Sequence, residues 1–299
     1  MKFLHFFPVF AALFLLVTAN AQAMGLLEGK KAAEDVTDLI IPHKALYDIQ
    51  MVETRSGSNV INISGKMYYE WKPSCDGWIT DHRFNLIYEY ADSPGMRITS
   101  DFSTFETFDG ESFSFSARRK RDNTLYEELR GRATTADKGG VAKFTMPDDL
   151  KFDLAKGAMF PMAHTVEMIE KARANKKFFQ AVVFDGSDDE GPVEINTFIG
   201  NEINPMKEID PSESLDMSLL NTKAWKVRMA VFPTIHAEEA SDYEMDMIFH
   251  ENGVISDMKI DYDDFSVTQK LVALERVQGD QCSREKQPEK TSQTSKNNQ

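Results

Sequence analysis

The chain has 299 residues and a formal net charge of −14, from 34 Lys and Arg against 48 Asp and Glu. So large an acidic surplus works against partnership with nucleic acid or anionic lipid head groups, which both need clustered Lys and Arg. The one short basic cluster, Arg118-Arg119-Lys120-Arg121, reads first as a solvated hairpin end. Contact with lipopolysaccharide or another acidic envelope component is its second reading.

At the N-terminus, Lys2 and His5 precede an apolar run from Phe6 to Ala19, which ends in Asn20-Ala21-Gln22-Ala23. A short basic start, a short apolar stretch and an A-x-A ending predict a signal peptide over residues 1–23, cleaved between Ala23 and Met24. The run is shorter than the ~20 apolar residues that span a bilayer, and no later segment is apolar enough to cross. The expected product is a soluble, not membrane-spanning, protein in the periplasm of a Gram-negative envelope. Two cysteines, Cys75 and Cys282, remain after cleavage. An even pair in an exported chain points to a disulfide, with free thiols or a shared metal site as alternatives. No Cys-x-x-Cys and no neighbouring His supports the metal. Closing so long a loop would contribute on the order of 5 kcal/mol at most in the chain-entropy model.

Residues 24–41 form a lead-in with a short helix expected over Glu28 to Val36. Beyond Pro42 the pattern alternates with period two. Phe84, Leu86, Tyr88 and Tyr90 share one phase, with Arg83, Asn85 and Glu89 on the other. Phe113 and Phe115 alternate with serines, Trp225 to Val231 with Lys226 and Arg228, and Tyr243 to Phe249 with Glu244 and Asp246. Such segments are strands with one face in a core and one in water. Turn signals divide them at Asp76-Gly77, Ser93-Pro94-Gly95, Asp109-Gly110, Gly139-Gly140, Asp185-Gly186 and Asn252-Gly253. The last is the sharpest and joins 242–250 to 254–262 as neighbours. Roughly twelve to fifteen strands follow from this reading.

One segment departs from the pattern. Residues 164–176 carry Val166, Ile169 and Ala172 at helical spacing, preceded by Phe160-Pro161 and with Thr165 as a cap. This lone amphipathic helix is expected to plug one end of a barrel or to lie in a curved sheet's concavity. Residues 283–299 are rich in Lys, Gln, Ser and Asn without apolar periodicity, and are expected to be a disordered polar tail. No repeat or linker divides the rest, so 24–282 is read as one domain.

Motifs that carry chemistry are missing from the sequence: there is no Gly-x-Ser-x-Gly elbow, no His-Glu-x-x-His and no phosphate-cradling loop. His43, His82, His164, His236 and His250 stand alone. The acidic groups Asp185-Gly-Ser-Asp188-Asp189-Glu190 and Asp261-Tyr-Asp263-Asp264 fit solvated turns and fail the EF-hand register. No catalytic residue, metal or cofactor is assigned. The apolar strands instead offer a candidate groove on Tyr243, Met245, Met247, Phe249 and Met258, where flexible thioethers conform to varied ligands. Core packing is the alternative for the same residues.

The ordered series Pro42-His43-Lys44-Ala45-Leu46-Tyr47, Gly65 to Glu70, Cys75-Asp76-Gly77-Trp78, Thr104-Phe105-Glu106, Phe160-Pro161 to Thr165, Phe184 to Asp189 and Glu251-Asn252-Gly253, closed by Cys282, resembles the EipB family of periplasmic cell-envelope integrity proteins. The likeness runs from about residue 40 to 282. It implies a mainly β fold, an antiparallel β-spiral or open barrel-like curved sheet, and a disulfide between Cys75 and Cys282. In broad shape that fold is similar to periplasmic lipoprotein carriers. The resemblance implies no enzymatic reaction. The leading expectation is a non-catalytic periplasmic protein supporting envelope integrity by binding an envelope protein, lipid or lipopeptide. A lipid or lipoprotein carrier with an apolar cavity, and a glycan or peptidoglycan hydrolase, are the alternatives.

Overall fold

The computed structural model describes residues 36–234 and 240–278. The signal segment, its cleavage point at Ala23 and Met24, most of the helix expected at 28–36, Cys282 and the polar tail lie outside the described residues.

Among the described residues, fourteen antiparallel strands form one sheet. A first meander runs through β1 (His43–Thr54), β2 (Val60–Pro73), β3 (Gly77–Tyr90), β4 (Met96–Thr107), β5 (Ser112–Arg121), β6 (Thr124–Ala136), β7 (Gly139–Met146) and β8 (Lys151–Leu154). A second runs through β9 (Phe178–Val183), β10 (Val193–Ile203), β11 (Ala224–Pro233), β12 (Tyr243–His250), β13 (Ile255–Tyr262) and β14 (Phe265–Arg276). β1 pairs with both β2 and β14, so the two ends of the domain meet in the middle of the sheet, while β8 and β9 form its edges. The barrel is therefore open. A short helix, α1 (Val36–Leu39), precedes β1. The edges are nevertheless consecutive in the chain, and the segment between them carries α2 (Pro161–Arg173). Just before α2, Met159 makes a parallel bridge to Val183, its N–H donating to Val182 O at 2.9 Å. That bridge satisfies part of the exposed β9 edge.

The expected helix exists, with shifted bounds: it spans 161–173 rather than 164–176. Pro161 occupies its first turn, where a missing N–H costs nothing, and Thr165 lies inside the helix instead of capping it. Phe160 at the cap position makes no side-chain cap bond. The buried face of α2, Met162, His164, Met168, Ile169 and Ala172, lies between the curled arms of the sheet. Met168 and Ile169 join one core cluster with Trp71 and Trp78 of the first arm and Phe179, Val227 and Phe249 of the second. A helix thus fills the concavity that strand twist leaves in a long sheet.

Two further clusters complete the interior. One packs β1, β2, β13 and β14 beneath α3 (Met217–Leu220), with Leu219 and Leu220 fully buried. The other is aromatic: Phe113 stacks on Phe160 at 5.0 Å, and Phe115 meets Phe144 edge-on at 4.8 Å. The basic cluster forms the end of the β5–β6 hairpin, as expected. Its turn residues Asp122 and Asn123 both take positive φ, 48° and 67°, which Asp and Asn tolerate better than most residues.

The Asn252-Gly253 turn joins β12 to β13 as its sequence signalled. Gly253 has φ +87°, and a Cβ there would lie 2.1 Å from Trp71 Cζ3. Gly253→Ala is therefore expected to destabilise by about 2 kcal/mol, through positive-φ strain and overpacking together. A urea-unfolding midpoint equal to wild type would show that Trp71 yields freely.

Candidate functional site

The curled sheet encloses a cavity of about 610 Å³, within the ~300–1,000 Å³ range of small-molecule sites. Met67, Phe84, Leu86 and Phe102 build one wall from β2, β3 and β4. Met245, Phe249 and Met258 build the facing wall from β12 and β13, and Pro161, Met162 and Thr165 of α2 close one side. Each strand contributes alternate residues, so the period-two pattern that made these segments strands also lines the chamber. Four of the five groove residues expected from sequence, Tyr243, Met245, Phe249 and Met258, stand on this wall. Met247 does not; it is 5% exposed and belongs to the core cluster around α2. Its phase in the strand is the same, but it falls where the helix rather than the void faces the sheet.

Polar groups punctuate the apolar lining. Thr80 and Thr104 share a hydroxyl hydrogen bond at 2.5 Å, and the Tyr47 hydroxyl donates to Ile255 O at 2.8 Å. His82 stands edge-on to Tyr69 at 4.8 Å. Burial pushes its pKa down to about 4, against a small opposing effect of Asp81, so it is neutral in the folded protein. Toward solvent the lining turns charged. Arg119 pairs with Glu127 and donates to the carbonyl of Ser187, tying the β5–β6 hairpin to the loop that follows β9. Asp185, in that loop, accepts from Ser187 N at 2.9 Å. Its carboxyl is raised, chiefly by burial, with the Ser187 N–H and Arg119 acting the other way.

The side chain that holds α2 in place was not foreseen. Glu106 of β4 is 2% exposed, and its two carboxylate oxygens accept from Met162 N at 2.7 Å and Ala163 N at 2.8 Å. These are unpaired donors of the helix N-terminus, at the positive end of its dipole. Burial nevertheless raises the Glu106 pKa to about 7, because the two N–H bonds offset only part of the desolvation. The sequence carried a signal: Glu106 shares the inward phase of Phe102 and Thr104, where a charged residue has to find a partner.

The other candidates resolve as follows. His250 Nε2 lies 2.9 Å from Ser256 Oγ, the pairing a nucleophilic serine would need. His250 is 0% exposed, however, and its Nδ1 meets Thr222 at 3.2 Å rather than a carboxylate. The trio braces the β12–β13 hairpin against the chain before β11. Among the described residues no group of three or more His, Cys, Asp and Glu is placed to hold a metal. Cys75 is exposed in the turn between β2 and β3. At that end of the sheet His43 of β1 pairs with Trp71 of β2 on one side and Arg276 of β14 on the other, so β2 and β14 both terminate there.

The sequence profile of the EipB-like family matches residues 34–278. The cell envelope integrity protein EipB of Brucella abortus (strain 2308) is 31% identical over 239 residues, 79% of this chain and 84% of that protein. A crystal structure described as a beta-barrel-like protein of a domain of unknown function, also from Brucella abortus, aligns with a TM-score of 0.74 at 31% identity. That alignment covers 80% of this chain and 99% of the other.

Proposed function

The chain belongs to the EipB-like family, and on that premise we propose that it is a non-catalytic periplasmic protein that supports cell-envelope integrity by holding the acyl chain of an envelope lipid or lipopeptide inside its curled sheet. The observation that carries this reading is the cavity of about 610 Å³ walled by Met67, Phe84, Phe102, Met245, Phe249 and Met258. Flexible thioethers and aromatic faces accommodate a methylene chain without demanding one shape. Desolvating a chain of CH₂ groups supplies about 0.8 kcal/mol for each one buried, enough for specific capture of a long acyl tail.

Native mass spectrometry of protein purified from envelope extracts tests it. A lipid or lipopeptide is expected to travel with the wild type and to be lost from Met245→Trp and Met258→Trp, which fill the chamber. An empty wild-type protein across such extracts would overturn the acyl-chain reading.

The signal segment and a disulfide between Cys75 and Cys282 are part of the same proposal, since both call for an oxidising compartment. What supports the pairing is that β14 ends at the same end of the sheet as the turn that carries Cys75, with only β1 between them. Cys75→Ser is expected to lower the melting temperature in oxidising buffer and to change nothing once reductant is added to both proteins. Equal melting before reduction would remove the bridge from the account.

A further inference from the structure

Of the residues that wall the cavity, Tyr126 alone is exposed, at 47%, so the chamber opens beside it. The rim around this opening carries charges of both signs: the β5–β6 hairpin brings arginines, one of them paired with Glu127, and the loop after β9 brings aspartates. The β5–β6 hairpin brings guanidinium groups: Arg119, whose side chain is 24% exposed, and Arg121, which lies 5.1 Å over the Tyr126 ring. The loop between β9 and β10 faces them with carboxylates. Asp185 is part of the wall, and Asp188 is close enough to act on both Asp185 and Tyr243.

We propose that this mouth recognises a zwitterionic head group, ammonium and phosphate together, on the amphiphile whose acyl chain occupies the cavity. The inference rests on the acyl-chain reading and adds the head-group chemistry to it. A purely anionic head would meet Arg119 but bring its charge against Asp185 and Asp188, where like charges are poorly screened by the surrounding protein. A purely cationic head would meet the aspartates and oppose Arg119. A neutral head would cover the half-buried Asp185 carboxylate without bringing a charge to replace the water it displaces, leaving it only Ser187 and the more distant Arg119. A phosphate toward the arginines and an ammonium toward the aspartates satisfies both sides at once. The guanidinium fork suits phosphate oxygens, and the ring of Tyr243, near Asp185 and Asp188, suits an ammonium.

The test is a titration of the full chain with three single-chain amphiphiles of equal chain length: lysophosphatidylethanolamine, lysophosphatidylglycerol and the free fatty acid. The fluorescence of Trp71, in the cavity wall, and of Trp78, edge-on to it at 5.5 Å, reports binding. The zwitterion is expected to bind about tenfold more tightly than either anion, a difference of about 1.4 kcal/mol. Asp185→Asn, which can still accept from Ser187 N, should erase that advantage without abolishing binding, and its melting curve shows whether the fold is intact. Equal affinity for all three lipids overturns the head-group inference while leaving the acyl-chain reading in place. So does a zwitterion preference that survives in a folded Asp185→Asn protein. Binding of none of the three removes the acyl-chain reading itself, and this inference with it.

Discussion

Glu106→Ala is expected to destabilise the protein by about 4 kcal/mol near pH 6, because it strands two helix donors in a dry interior and leaves a void where the carboxylate stood. The damage should be focused. α2 is the element that bridges the two edge strands, so amide exchange in 161–173 should quicken before exchange in β11 or β12 does. Glu106→Gln separates the charge from the shape. The folded-state pKa, about 7, lies above the ordinary glutamate value of 4.5, so the native state holds this proton where the unfolded chain has released it. The stability from this group is complete below about pH 4.5 and is lost as pH rises through 7, a change on the order of 3 kcal/mol. The glutamine variant cannot release the proton and should lack that part of the pH dependence. Urea midpoints at pH 5 and pH 8 that move in parallel for wild type and Glu106→Gln would refute the assignment.

A larger effect, of opposite sign, comes from the buried histidines. His82, His164 and His250 each have a folded pKa of about 4, lowered from 6.5 primarily by burial. Asp81 beside His82 and Glu167 beside His164 only partly resist the shift. Below pH 6.5 the unfolded chain binds protons that the native state refuses, so stability is complete above that value and drains away as pH falls toward 4. Three such groups together are worth on the order of 6 kcal/mol, allowing for partial hydration of His82 at the cavity wall. This outweighs the opposing contribution of Glu106, so these groups together make the protein less stable as pH falls from 6.5 toward 4. His164→Phe isolates one share: the ring already lies 5.4 Å from Phe179, and its Nε2 has no hydrogen-bond partner among the described residues. The variant should melt near wild type at pH 7.5 and above it at pH 4.5. A variant that loses stability as steeply as wild type on acidification would show that His164 does not carry the titration.

The fate of the five groove residues shows how far a one-dimensional pattern reaches. Alternation holds along the first part of β12, where Glu244 and Asp246 turn outward, because the side-chain period of a strand is a property of the backbone alone; at its end Ile248 and His250, on the phase read as water-facing, are buried as well. It could not separate Met247, sealed beneath α2, from Met245 and Phe249 on the same face, since that depends on where a distant helix ends. The Asp185-Gly186 signal had a similar outcome. Its glycine is needed, with φ +66° and a Cβ position 2.5 Å from Phe115 Cγ, but for close approach within the loop after β9 rather than for a two-residue hairpin. Local rules place the helix over 164–176 with Thr165 as its cap. The cap that the protein uses comes instead from Glu106 of β4, more than fifty residues earlier, with two bonds to α2.

The sequence alone determined that this is a sheet protein of many antiparallel strands, which phase of most strands faces inward, where the chain turns at Asn252-Gly253, and which family it resembles. All of these are set by neighbours within a few residues or by the order of motifs. The tertiary structure alone decided that β1 and β14, the first and last described strands, pair with each other, that β8 and β9 are left as edges, and that the curl between them is filled partly by α2 and partly by a cavity. Those outcomes depend on the accumulated twist of fourteen paired strands and on volumes enclosed by residues far apart in the chain, and no local period encodes either one.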